Sequence, residues 1–221
     1  MEVMEVTKAM KATEIGEIAE TEDTVEIAET EDTEETGETV EITTDRLLLR
    51  RFRGSDATAL AAYRSEPEVA RYQGWSAPVT LDAARDLARA FAAGRVDEPG
   101  WFQYAVESRA DGRLVGDIGV RLHENRRQAE LGYTLASAYQ GLGLATEALG
   151  ALLTHLFEVR GLHRVSAECD VRNERSAALL RRLGFVQEGW RRQATWVKGE
   201  WTDDLLFGLL ASDPRPRGGR P

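Results

Sequence analysis

Apolar and polar positions change period several times between residues 46 and 211, and each change predicts an element. "TDRLLLRRF" predicts a strand over about Arg46–Arg53. "SDATALAAYRSEPEVARY" carries Leu60 and Tyr63 at helical spacing behind Ser55, a candidate N-cap. "TLDAARDLARAFAAG" predicts a second helix, capped by Thr80 or Asp82 and stopped by Gly94. Three strand patterns follow: "WFQYAVES", "LVGDIGVRL" and "AELGYTL", the last with Ala129, Leu131, Tyr133 and Leu135 on one side. From Leu144 the period returns to helical, with Ala145, Leu149, Leu152, Leu153 and Leu156 as a core stripe and Gly161 as the stop. "RVSAECDV" alternates again, Asn173 caps the helix "ERSAALLRRL", and Gly184 closes it. Two further strands are expected near Thr195–Lys198 and Asp204–Leu209. The pattern describes an α+β fold, a mixed sheet crossed by helices.

Outside these elements the pattern stops. Residues 1–44 carry 15 Asp/Glu against two Lys, net −13, and "EIAETEDT" occurs twice at a nine-residue interval. Like charges crowd this stretch and it lacks aromatic residues, so it is expected to be a disordered acidic tail. Residues 45–211 are expected to form one domain, and 212–221, "SDPRPRGGRP", a flexible end. The 177 residues after Thr44 carry 26 Lys/Arg against 23 Asp/Glu, which takes the total to −10 and leaves a nearly neutral domain. Charge therefore argues for no direct contact with nucleic acid. One cysteine, Cys169, suits a reducing compartment, and no apolar run is long enough for a membrane span. A cytoplasmic protein that makes no membrane contact is expected. His123, His155 and His163 sit on separate elements without ligand spacing, so no metal site is expected.

The candidate chemistry lies in "LGYTLASAYQGLGLATEALG". Gly141 and Gly143 open the long helix, but Thr146 stands where a dinucleotide fingerprint has its third glycine. No lysine follows, so a Walker loop fails as well. What remains is an anion cradle, with small residues and free N–H groups at a helix N-terminus. A loop that merely turns the chain is equally compatible with the glycines taken alone.

Gln140, Gly143 and Ala145, placed after "ELGYTL" and before a long helix, resemble the acetyl-CoA loop of the GNAT superfamily of N-acetyltransferases. "VRNERSAALLRRLGFVQEG" resembles a second pattern of that family through Asn173, Ser176, Leu179, Leu183, Gly184, Phe185, Glu188 and Gly189. The opening "TDRLLLRRF" is similar to the RimJ/RimL-like branch, which acetylates ribosomal protein N-termini among other amines. The resemblance implies the GNAT fold, a mostly antiparallel mixed sheet flanked by helices, with acetyl-CoA as co-substrate. It also implies direct transfer of acetyl to a primary amine in a ternary complex, the acceptor being a protein α-amine or a small-molecule or antibiotic amine.

The resemblance further implies who does what. Gln140, Gly141, Leu142, Gly143, Leu144, Ala145 and Thr146 would hold the diphosphate. Tyr133, Thr134 and Leu135 would pair with the pantetheine arm, a backbone N–H near Leu135 facing the thioester oxygen. Asn173 would contact the same arm or cap its helix. Glu130 would be the base, acting directly or through water, and Ser176 would donate to the departing sulfur, in a helix that lacks the tyrosine many relatives carry. A base matters most for a lysine-like amine, whose pKa of about 10.4 makes neutralisation at pH 7 cost roughly 4.6 kcal/mol, against about 1–1.4 for an α-amine. Trp75 and Trp101 are expected beside the acceptor, under a cover made by "KGEWTDDL". The rival reading is an acyl-CoA-binding sensor or scaffold without turnover; a third has the repeat tail bind a partner. A homodimer is compatible with either.

Overall fold

A computed structural model describes residues 40–215. The expectations for the acidic repeats and for the last six residues lie outside that range. Eight strands form one sheet in the order β1-β2-β3-β4-β5-β6-β8-β7. They are β1 (Ile42–Thr43), β2 (Leu47–Arg51), β3 (Gly100–Ser108), β4 (Leu114–Leu122), β5 (Gln128–Leu135), β6 (Arg164–Asp170), β7 (Val186–Val197) and β8 (Glu200–Leu210). Every neighbouring pair is antiparallel except β5 and β6. A parallel neighbour needs a crossover. Here α4 (Leu144–Thr154), extended by a wider π-type turn over His155–Val159, supplies it.

Alternation along the strands sorts residues to two faces. On one, Leu49, Tyr104, Ile118, Leu131, Val165 and Phe207 pack against α4 and against α5 (Glu174–Arg182). The expected stripe is there: Leu149, Leu152, Leu153 and Leu156 are buried, with Ala145 at its margin. Each such leucine contributes roughly 1.5–3 kcal/mol on leaving water. On the other face Ala105 and Leu114 meet α1 (Ala57–Arg64) and α3 (Leu81–Ala93) through Leu60, Tyr63, Ala84 and Ala88.

Four local expectations change. The first helix is broken: α1 ends at Arg64, and a short α2 (Pro67–Ala70) begins after an extended Glu66. Proline at 67 drives its predecessor out of helical conformation. Ser55 is not its cap, because it lies inside a 3-10 turn over Gly54–Asp56 whose Asp56 accepts from the Arg53 amide at 2.7 Å. Strand β7 starts at Val186, well before Thr195, and carries two bulges, after Gln187 and after Arg191. As an edge strand exposed on much of its length it shows no clean alternation. Finally, β1 lies within the residues that the charge pattern assigned to the tail.

Candidate active site

The register of the sheet builds the site. β5 and β6 pair only from Gln128↔Arg164 to Leu131↔Ala167. Beyond that rung β5 continues to Leu135 against β4 alone, and β6 continues to Asp170 against β8 alone. The two strands therefore separate into an open wedge. Ala136 donates to Val115 at 2.9 Å. Alternation from that bond turns Thr134 and Gly132 toward β4 and leaves the N–H groups of Tyr133 and Leu135 facing the wedge. Their carbonyls face it too and are taken up by side chains: Gln73 reaches Tyr133 O at 3.4 Å, and Gln140 reaches Leu135 O at 2.9 Å.

At the wide end of the wedge lies the glycine pair. Gly141 and Gly143 have φ of +75° and +78°, in the left-handed region that glycine adopts without a Cβ penalty. Gly143 is the N-cap of α4, and the first helical bond runs from Glu147 N to Gly143 O at 3.1 Å. The amides of Leu144, Ala145 and Thr146 precede it and have no partner within the helix. A Cβ at Gly141 would meet nothing within 4 Å, so the loop is open above its backbone. Arg175 and Arg182 of α5 reach Gln140 and Thr146 at 3.3 and 3.5 Å, placing two cations at its rim. The elements fit a diphosphate at the helix mouth and an extended amide chain along the wedge.

On the face opposite α4, Gly132 opens a shallow trough, while its cross-strand partner Gly119 is buried beneath Gln103 and Trp101. Gly132 is exposed although β5 is an internal strand, and a Cβ there would touch nothing within 4 Å. Glu130 stands one position along from it on the same face, with Glu168 of β6 across the opening. Burial, then the neighbouring Glu168, pushes the Glu130 carboxyl up to about 7, against the pull of Arg121 and Arg191. Burial also raises Glu168, although Arg191 donates to it. Glu168 was missed in the sequence, yet the signal was there: the alternation that buries Val165, Ala167 and Cys169 sends Ser166, Glu168 and Asp170 to the face of Glu130.

Asn173 caps α5, accepting from Ser176 N at 3.1 Å. The Ser176 hydroxyl then lies 2.7 Å from the Tyr133 hydroxyl. The helix lacks a tyrosine, and β5 brings the Tyr133 hydroxyl to its Ser176. Burial holds the Tyr133 phenol well above its ordinary range, and it lifts the Cys169 thiol to about 11, in keeping with a core cysteine.

Of the two expected acceptor-side tryptophans, Trp101 is half-buried and lies against Gly119. Trp75 is not there. It is a packed core residue, donating to Arg64 O at 3.0 Å with its ring 4.4 Å from that guanidinium. The β7–β8 turn covers this side: Lys198 donates to Ala70 O, and Glu200 pairs with Arg172 at 2.9 Å.

Residues 46–186 match the family model described as "Acetyltransferase (GNAT) domain". The chain belongs to the GNAT acetyltransferases. An uncharacterized N-acetyltransferase of Bacillus subtilis is 32% identical over 170 residues, 76% of this chain and 96% of the relative. The [Ribosomal protein uS5]-alanine N-acetyltransferase of Escherichia coli is 28% identical, covering 80% of this chain and 94% of that one. The solved structure of a GNAT-family acetyltransferase from Bacillus anthracis superposes with a TM-score of 0.71 at 25% identity, over 77% of this chain and 98% of the other. The GNAT fold explains the one parallel pair: the crossover places the helix mouth and the unpaired half of β5 at the same end of the sheet. The chain is thus an N-acetyltransferase of this family, with relatives among the RimJ/RimL-like enzymes.

Proposed function

We propose that this GNAT enzyme moves an acetyl group from acetyl-CoA to an α-amine at the end of a peptide or on a small molecule. The observation that carries this reading is Glu130, a carboxyl near pH 7 beside the wedge and the vacant trough at Gly132. A base at about 7 lies about one pH unit below an α-amine and more than three below a lysine, so proton removal from the former costs roughly 1 kcal/mol and from the latter over 4. Glu130 and Glu168 also attract an arriving ammonium group.

Gln140–Thr146 would hold the diphosphate, mostly through backbone N–H groups, and Tyr133–Leu135 the pantetheine arm. Bound acetyl-CoA supplies the acetyl group as a thioester. The residues then divide the work. Glu130 accepts the proton of the acceptor ammonium, directly or through water. The N–H groups of Tyr133 and Leu135 face the wedge as donors for a developing oxyanion. The Tyr133–Ser176 hydroxyl pair donates to the departing sulfur, the phenol being held in its protonated form by burial. Asn173 fixes Ser176 by capping its helix.

Incubation of the full chain with acetyl-CoA and a panel of peptides, aminoglycosides and polyamines tests the reading. Thiol release should accompany the gain of one acetyl group, fastest on α-amines. Binding of the coenzyme without release on any acceptor would leave only the sensor reading.

A further inference from the structure

The opening residues Thr44-Asp45-Arg46, at the far edge of the sheet, hold the helix mouth from the side opposite α5. The Thr44 hydroxyl donates to Glu147 Oε1 at 2.6 Å, and the Arg46 amide donates to the same oxygen at 2.9 Å. The Arg46 Nε donates to Glu147 Oε2 at 2.6 Å, while its Nη1 donates to Leu142 O at 3.0 Å. The other nitrogen, Nη2, lies 3.5 Å from where a Cβ on Gly143 would stand. One guanidinium thus grips both the loop between the two glycines and the first turn of α4. Burial opposes ionisation of Glu147, but the bonds from Thr44 and Arg46 outweigh it and keep the carboxyl below its ordinary value.

The geometry follows from the peptide unit. In a trans peptide the C=O of Leu142 and the N–H of Gly143 point in opposite directions. Fixing that carbonyl on Arg46 therefore aims the Gly143 N–H the other way. A loop with two left-handed glycines has many alternatives open to it, and holding one of them beforehand lowers the ordering cost of binding. We propose that Thr44, Arg46 and Glu147 are positioning residues for the coenzyme diphosphate, a clamp that pre-sets the loop Gln140–Thr146 without touching the reacting atoms. This rests on the acetyl-CoA reading above.

The test compares acetyl-CoA with S-acetylpantetheine, which has the same thioester but no diphosphate. Arg46→Gln should raise KM for acetyl-CoA about tenfold, since charge-assisted hydrogen bonds are worth a factor of that order. The kcat at saturation and the KM of the acceptor should stay within about twofold, and kcat/KM for S-acetylpantetheine should not change. Arg46→Lys, which keeps the charge and loses the fork, should fall in between. Glu147→Gln and Thr44→Val read the same comparison should Arg46→Gln fail to fold. An equal loss with both donors shows a merely structural role and overturns the clamp, as does an unchanged KM. If calorimetry shows that the wild-type chain itself binds no coenzyme, the proposed function falls together with the clamp. If the wild type binds and the variants bind as well, only the clamp falls.

Discussion

Glu130 is the residue on which the proton balance turns. Its carboxyl sits at about 7 in the folded chain, against 4.5 in its ordinary state. As a base it must be ionised, so kcat/KM should rise with pH through about 7. Glu130→Gln should remove that limb and lower kcat/KM by roughly a hundredfold. The same shift has an opposite sign in stability. The raised value means that the folded chain holds this proton more tightly than the unfolded chain. Folding is unopposed below about 4.5, loses stability as pH rises from 4.5 to 7, and carries a constant penalty above, on the order of 3 kcal/mol. Glu130→Gln should therefore raise Tm at pH 8 and leave it nearly unchanged at pH 4, which thermal unfolding at the two values would show. Across the wedge, Tyr133→Phe and Ser176→Ala should each reduce kcat about tenfold. The double variant should be little worse than either single one, because the two hydroxyls act as one donor.

At the level of elements, legibility followed the range of the interaction. The glycine loop, the Asn173 cap and the stripe of α4 are local patterns, and the alternation of β5 put Glu130 where it stands. Pairings between distant segments were not legible. Tyr133 meets Ser176 across 43 positions and Arg46 meets Glu147 across 101, and neither residue's neighbours in sequence signal the other. Trp75 misled because a large aromatic between the first helices serves a lining or a core equally well until packing chooses. The Asn173 cap should be worth about 1 kcal/mol in Asn173→Ala, read by urea unfolding. The same change should also lower kcat, since Ser176 loses its anchor. A structural cap alone would change stability only.

For the molecule as a whole, charge is unevenly distributed. Residues 1–39 carry 14 acidic groups against two lysines, net −12. If that segment gathers cationic acceptors, its removal should raise their KM at low salt, and the difference should vanish at high salt. Equal KM values at both salt concentrations would dismiss the idea. Inside the domain, charge is paired at depth: Arg64 meets Asp117 at 3.2 Å, and Tyr63 and Gln103 donate to the same carboxylate. Asp117→Leu would leave a buried guanidinium without its counter-ion and should cost roughly 3–5 kcal/mol.

Four residue pairs join β5 to β6, where each outer flank has seven. Apart from the two-residue edge strand β1, the sheet is therefore least stitched along the line where chemistry is expected. Without substrates, the two halves of the molecule should breathe about this seam sooner than about any other interior seam of the sheet. A coenzyme lying in it would act as the absent length of strand, so amide exchange at Tyr133, Leu135 and Glu168–Asp170 should slow on binding while that of β3 barely changes.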